Sequence, residues 1–147
     1  MTDHLTPEGR SRVMSAIRSK NTKPELAMRA GLRQAGATGY RLHVRDLPGK
    51  PDVAFTRWKV AVFVDGAFWH GHPDRFNAEA ATSYWREKIK RTQARDTLAD
   101  QKLRDSGWHV LRIWDFRIKS DLEECVSEVL CELKSAGWAR KPPTVVG

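Results

Sequence analysis

Two carboxylates and an imidazole stand close together in one stretch, Leu47 to His72 (LPGKPDVAFTRWKVAVFVDGAFWHGH), and side chains of these types can hydrolyse a phosphodiester. That reaction needs a hard cation, ordinarily Mg2+, to neutralise phosphoryl oxygens and orient water. Mg2+ takes one or two carboxylates together with carbonyls and waters. Asp52, Asp65 and the Val64 carbonyl can supply those oxygens. His70, within Phe68-Trp69-His70-Gly71-His72, can take a proton from the attacking water or stabilise a metal-bound one. Each residue also has a plainer reading. Asp52 follows Pro51 at a strand start, where a carboxylate can be a turn or edge group, and Asp65-Gly66 can be a polar turn. His70 can be a loop histidine bonded to backbone, or part of a zinc site with His72 and Asp74. No cysteine lies nearby to complete a closed structural zinc, so none is expected.

Phe68 and Trp69, adjacent in a glycine-flanked loop, can plug a core or act as wedges pushed between base pairs. The basic run from Arg86 to Arg95, including Arg91, would then hold the flanking phosphates. Trp85 or Met14 could join the wedge, although both also lie on plausible core faces. The charge balance agrees with a polyanionic partner: 26 Lys and Arg against 18 acids give a net charge of +8. At 147 residues and 40% apolar content the chain is one domain able to bury a core. It has no long apolar run and its first residues carry no apolar leader, so a cytosolic protein without membrane contact is expected. Cys125 and Cys131 are six apart on one predicted helix and point to different faces, which argues against a disulfide.

The elements that must position these groups follow from capping and periodicity. Thr6-Pro7 opens a short basic helix over Arg10 to Ile17, with Val13, Met14 and Ile17 as its apolar positions. Thr22-Lys23-Pro24-Glu25 is a capping box for a second helix running to about Gln34, with Glu25 reaching back to the Thr22 amide. Tyr40 to Val44 alternates as a half-buried strand, with Tyr40, Leu42 and Val44 set against Arg41 and His43. Leu47-Pro48-Gly49 turns into Val53 to Phe55, and Val60 to Val64 is a strand buried on both faces. Residues 65 to 82 are too long and aromatic for a plain connection. A helix resumes near Ser83, with Trp85, Ile89, Thr92, Ala99 and Leu103 on one face, and ends at Gly107. Trp108 to Trp114 is a strand, and Ser120-Asp121-Leu122-Glu123 is a second capping box, opening a helix with Leu122, Val126, Val129, Leu130 and Leu133 inward. The long helix can act as a right-handed crossover to a parallel fourth strand. The expected fold is α/β, a mixed sheet flanked by helices, and the same order is the core of the restriction-endonuclease-like (PD-(D/E)xK-type) fold. The expected division is an N-terminal DNA-contacting arm over residues 1–20, an endonuclease domain over 21–137 and a flexible tail over 138–147.

Taken together, Arg10-Ser11 with Met14 and Ile17, NTKPE at 21–25, LPGKPD at 47–52, VFVDGAFWHGH at 62–72, YWREKI at 84–89, Ala94-Arg95-Asp96 and GWHVLRIWD at 107–115 resemble the very short patch repair endonucleases. That family nicks DNA beside a T:G mismatch left by deamination of 5-methylcytosine. The resemblance implies that Asp52 and the Val64 carbonyl bind Mg2+, that His70 is the catalytic base, and that Glu25 and Asp65 order metal-bound waters. It also implies that Phe68, Trp69 and Trp85 enter the duplex from the major groove while Met14 meets them from the minor groove. Better-known members carry a zinc held largely by cysteines around the aromatic loop. Here Ala67, His72, Asp74 and Phe116 stand in its place, and apolar packing by Ala67 and Phe116 is the expected substitute. At the position of Asp65 some members have histidine. The implied protein is a monomer acting on double-stranded DNA with a T:G mismatch, in company with repair-pathway proteins. A restriction-like or defence nuclease acting on paired or modified DNA, and a non-catalytic mismatch-binding module, are the alternatives.

Overall fold

The computed structural model describes residues 21–74 and 76–140. Arg10 and Met14 of the N-terminal arm lie outside the described residues. Helix α1 (Lys23–Gln34) starts where Thr22 Oγ1 accepts the Glu25 amide at 3.4 Å. The Glu25 carboxylate closes the other half of the box on the Asn21 amide, at 3.0 Å, and not on that of Thr22. Strand β1 is only Arg41–Leu42, shorter than the expected 40–44, because His43 takes φ +47 and turns the chain. The expected inward alternation therefore fails at Leu42, which is exposed, while Val44 is buried. Strands β2 (Val53–Phe55) and β3 (Val60–Asp65) pair antiparallel, as does β1 with β2. Helix α2 (Ser83–Asp105) crosses over to β4 (His109–Trp114), which lies parallel to β3, giving the order β1-β2-β3-β4.

A short helix α3 (Asp115–Ser120), not foreseen, follows β4 directly, and α4 (Leu122–Ser135) follows it. The cap of α4 is Asp121, whose carboxylate accepts the Glu124 amide at 3.1 Å; Ser120 instead closes α3 by donating to the Arg117 carbonyl. A carboxylate one residue nearer the helix has displaced the expected Ser120 box.

The period-2 alternation of β3 sorts its side chains to opposite faces. Val60 and Val62 join Val53, Phe55, Met28, Leu32, Ile113, Val129 and Leu133 in the core beneath α1, α3 and α4. Ala61 and Phe63 lie on the other face with Leu103 of α2. Asp65 continues that second row, and the register Phe63↔Arg112 and Asp65↔Trp114 sets Arg112 beside it. The polar residues under α2 thus meet at the carboxyl end of β3. Gly49 brings the turn before β2 down on this face. Its φ is +75, and a Cβ there would lie 2.9 Å from that of Ala99 and 3.1 Å from the Phe63 ring. Trp138 is partly buried against the larger core. Cys125 is buried and Cys131 exposed, both as free thiols. No described helix is long and apolar enough to cross a membrane.

Candidate active site

A cleft of about 770 Å3 opens at the carboxyl end of β3, and Glu25, Asp52, Val64, Asp65 and His70 all line it. Among the described residues two groups bring ligand atoms within 4.8 Å of one another: Glu25, His43 and Asp52, and Asp65, His70 and Asp96.

In the first group, Asp52 Oδ2 accepts the Val64 amide at 2.6 Å, so the carboxylate is held against the β3 backbone. Glu25, 3% exposed, receives Arg29 Nη2 at 3.2 Å besides the Asn21 amide. Arg29 Nη2 also lies 3.0 Å from His43 Nε2. The same ring nitrogen faces Glu25 Oε2 at 3.4 Å, and Nδ1 faces Asp52 Oδ1 at 3.8 Å. Burial, strengthened by the charges of Glu25 and Asp65, pushes the Asp52 carboxyl up to about 7 against the opposing Val64 bond and His70 charge. Five carboxylates line the cleft, those of Glu25, Asp52, Asp65, Asp96 and Asp115, and form an oxygen-rich donor set that suits a hard divalent cation.

In the second group, His70 Nδ1 meets Asp96 Oδ2 at 2.5 Å, so the acid fixes the tautomer and turns Nε2 toward Asp65 Oδ1, 3.7 Å away. Burial opposes charge on His70, but the Asp96 hydrogen bond and the charges of Asp65 and Asp96 outweigh it and hold the imidazole above its usual value. Burial also raises Asp65, while His70 and Arg112 pull it back. Arg112 bonds both Asp65 oxygens, at 3.1 and 3.2 Å, and both oxygens of Asp100.

The aromatic residues form a half-exposed cluster outside both cores. Phe68 lies edge-on to Trp69, Phe76 and Trp85 at 5.2–5.6 Å, and Trp69 lies 5.7 Å from Trp85. Phe68 remains 36% exposed. Lys88 Nζ is over the Trp69 ring at 5.9 Å, and Arg86 and Arg91 are exposed on the same helix.

The loop is fastened to β4 and α3. Ala67 is buried, its amide bonded to Asp115 at 3.3 Å, and the His72 ring lies edge-on to Trp114 and Phe116 at 4.8 and 5.0 Å. Ala67 and Phe116 bring no ligand atom, and Asp74 is 82% exposed, so these positions do not make up a zinc donor set. Ring packing and the Asp115 bond hold this end of the loop.

Sequence spacing does not reveal His43, Asp96, Asp100, Arg112 or Asp115 as members of the site. One signal was present: Arg112 interrupts the apolar run of β4, where a charge needs a partner.

The family model described as DNA mismatch endonuclease Vsr matches residues 2–75. The type II nicking enzyme V.XorIIP of Xanthomonas oryzae is 43% identical over 124 residues, covering 83% of this chain and 90% of that protein. The type II nicking enzyme V.NaeI of Lentzea aerocolonigenes is 40% identical, covering 86% and 79%. The DNA mismatch endonuclease Vsr of Escherichia coli is 32% identical, covering 90% and 85%.

Proposed function

Given that the chain belongs to the Vsr family of DNA mismatch endonucleases and is a strand-nicking DNA endonuclease, we propose that it nicks one strand beside a T:G mismatch, with Mg2+ as cofactor. The observation that carries this reading is the convergence of Asp52, Asp65 and the Asp96-tethered His70 on one cleft beside a half-exposed aromatic cluster. The element order, with Asp52 at the head of β2, supports a restriction-endonuclease-like (PD-(D/E)xK-type) assignment. Asp52 and the Val64 carbonyl would hold Mg2+, and Glu25 and Asp65 would order its waters. When bound, the ion supplies charge neutralisation at the scissile phosphate and a more acidic water. His70 Nε2 takes the proton of the attacking water, and Asp96 stabilises the imidazolium that results. Buried Glu25 keeps Asp52 oriented through the Arg29 and His43 contacts behind it.

Phe68, Trp69 and Trp85 are the wedge, and Arg86 and Arg91 hold the phosphates beside it. A mismatch stacks poorly, so separating its steps costs less than separating paired ones, which favours T:G. Arg10 and Met14 contact the DNA from the opposite groove, and the protein acts as a monomer. Replacing Trp69 by alanine is expected to lower the T:G over C:G nicking ratio about tenfold, since a base stacked on an aromatic ring contributes about 1–3 kcal/mol. An unchanged ratio with a lowered melting temperature would leave Trp69 a packing residue only.

The names of the nicking-enzyme relatives favour a second reading, a restriction-like role in which paired DNA is also cut. End-labelled duplexes differing only in T:G or C:G, with Mg2+, separate the two. Nicking of one strand at T:G alone is expected; equal cutting of both would establish the second reading.

A further inference from the structure

The two acid groups of the cleft differ in what lies between their oxygens. The side chain of Arg112 is 19% exposed and its guanidinium lies over the Phe63 ring at 4.0 Å. Nε donates to both Asp100 oxygens at 2.9 and 3.0 Å, with Nη2 2.8 Å from one of them. Nη1 bridges both oxygens of Asp65 and faces Asp96 Oδ1 at 3.6 Å, and Nη2 also reaches the Asp96 carbonyl at 3.5 Å. A guanidinium stays charged and offers five donors in a fixed plane, so it can hold three carboxylates at once, whereas an ammonium is a single point. A divalent ion ligated by Asp65, His70 and Asp96 would have to displace Nη1. On the Glu25, His43 and Asp52 side, the buried guanidinium of Arg29 bonds Glu25 and the histidine, while Asp52 Oδ1 faces the His43 ring at 3.8 Å.

We propose that Arg112 is the resident cation of the Asp65–His70–Asp96 group: a positioning residue that sets Asp65 and the Asp96–His70 pair across the cleft and keeps a metal ion out of that half. The proposal rests on the nuclease reading of the cleft. It makes the cleft unequal, with metal at Asp52 and a fixed guanidinium at Asp65, and it makes Arg112→Lys a disruptive exchange despite equal charge.

The test uses the full chain and Mn2+ as the probe, titrated without DNA and followed by electron paramagnetic resonance. The expected count is one tight Mn2+, lost in Asp52→Asn and retained in Asp65→Asn. Arg112→Met should gain a second Mn2+, lost again when Asp65→Asn is added. Single-turnover nicking of a T:G duplex should fall about a hundredfold in Arg112→Met, with duplex Kd within about twofold, as for a catalytic group displaced by an ångström. Arg112→Lys should recover no more than about a tenth of the wild-type rate. A second wild-type Mn2+ that disappears in Asp65→Asn would overturn the proposal, as would an unaltered rate in Arg112→Met. Should Arg112→Met fail to fold, the wild-type and Asp65→Asn counts decide alone. Wild-type protein that nicks neither duplex would defeat the nuclease reading while leaving the Mn2+ counts to judge Arg112.

Discussion

Replacing Asp52 by asparagine is expected to stop nicking and at the same time to stabilise the metal-free protein. The loss follows from removing the carboxylate that would ligate Mg2+. Phosphoryl-charge stabilisation is worth several kcal/mol, so the single-turnover rate should fall at least on the order of a thousandfold while duplex affinity is kept. The gain follows from linkage. The folded Asp52 carboxyl stands at about 7 against an ordinary 3.8, chiefly through burial, so the native protein holds that proton more tightly than the unfolded chain. The resulting stability is fully present below about pH 4 and is lost as pH rises through about 7. At pH 8 the native state therefore carries a buried negative charge that the unfolded chain solvates freely. With the side chain only 16% exposed, the size of the shift sets a ceiling of about 4 kcal/mol. Asparagine keeps an acceptor for the Val64 amide, and a gain of about 2 kcal/mol at pH 8, fading toward pH 4, is the expectation. Denaturant melts of both proteins at the two pH values, without metal, measure it. Equal stability at pH 8 would mean that Asp52 is better solvated than its surroundings indicate.

Removal of His70 is the second large effect. Alanine there should cost about 100- to 10,000-fold in single-turnover rate, the range for a lost general base. The pH profile carries the finer test. His70 is held above its ordinary 6.5 by the Asp96 hydrogen bond and the charges of Asp65 and Asp96, which outweigh burial. The neutral imidazole that can accept a proton accumulates only above that raised value. At saturating Mg2+ the rate should therefore climb with pH through a midpoint above 6.5. Asp96→Asn removes the first of the raising influences, so its midpoint should move to lower pH while the plateau falls. A midpoint unmoved by Asp96→Asn would assign the rising limb to another group.

These expectations depend on residues that sequence patterns reveal unequally. The Thr22 and Glu25 box, the apolar run of β3 and the Ile89, Ala99 and Leu103 face of α2 are local, and the folded chain keeps them because propensity and burial agree there. Asp52, Asp65 and His70 were legible for a related reason, since they flank those strands within a short span. What did not show was produced by tertiary geometry. The turn at His43 needs a positive φ that its residue type does not announce, and it carries an imidazole behind Asp52. Asp96 and Asp100 are one helical turn apart amid other charges, and only the parallel register of β3 with β4 selects them as partners of Arg112. Helix α3 is six residues long, below the length at which periodicity carries a signal.

The register that brings Arg112 to Asp65 also orders events during synthesis. The two residues are 47 positions apart, and Arg112, Asp115 and Lys119, which complete the wall of the cleft, are made last. A nascent chain that has emerged only through α2 already carries the aromatic cluster, the basic helix face and four of the five carboxylates that line the cleft, Glu25, Asp52, Asp65 and Asp96. It has no guanidinium to hold Asp65, Asp96 and Asp100 together, and no Asp115 to pin the loop at Ala67. The groups that fasten the two carboxylate clusters and the aromatic loop into one wall of the cleft thus come from the last strand of the sheet and the helix that follows it.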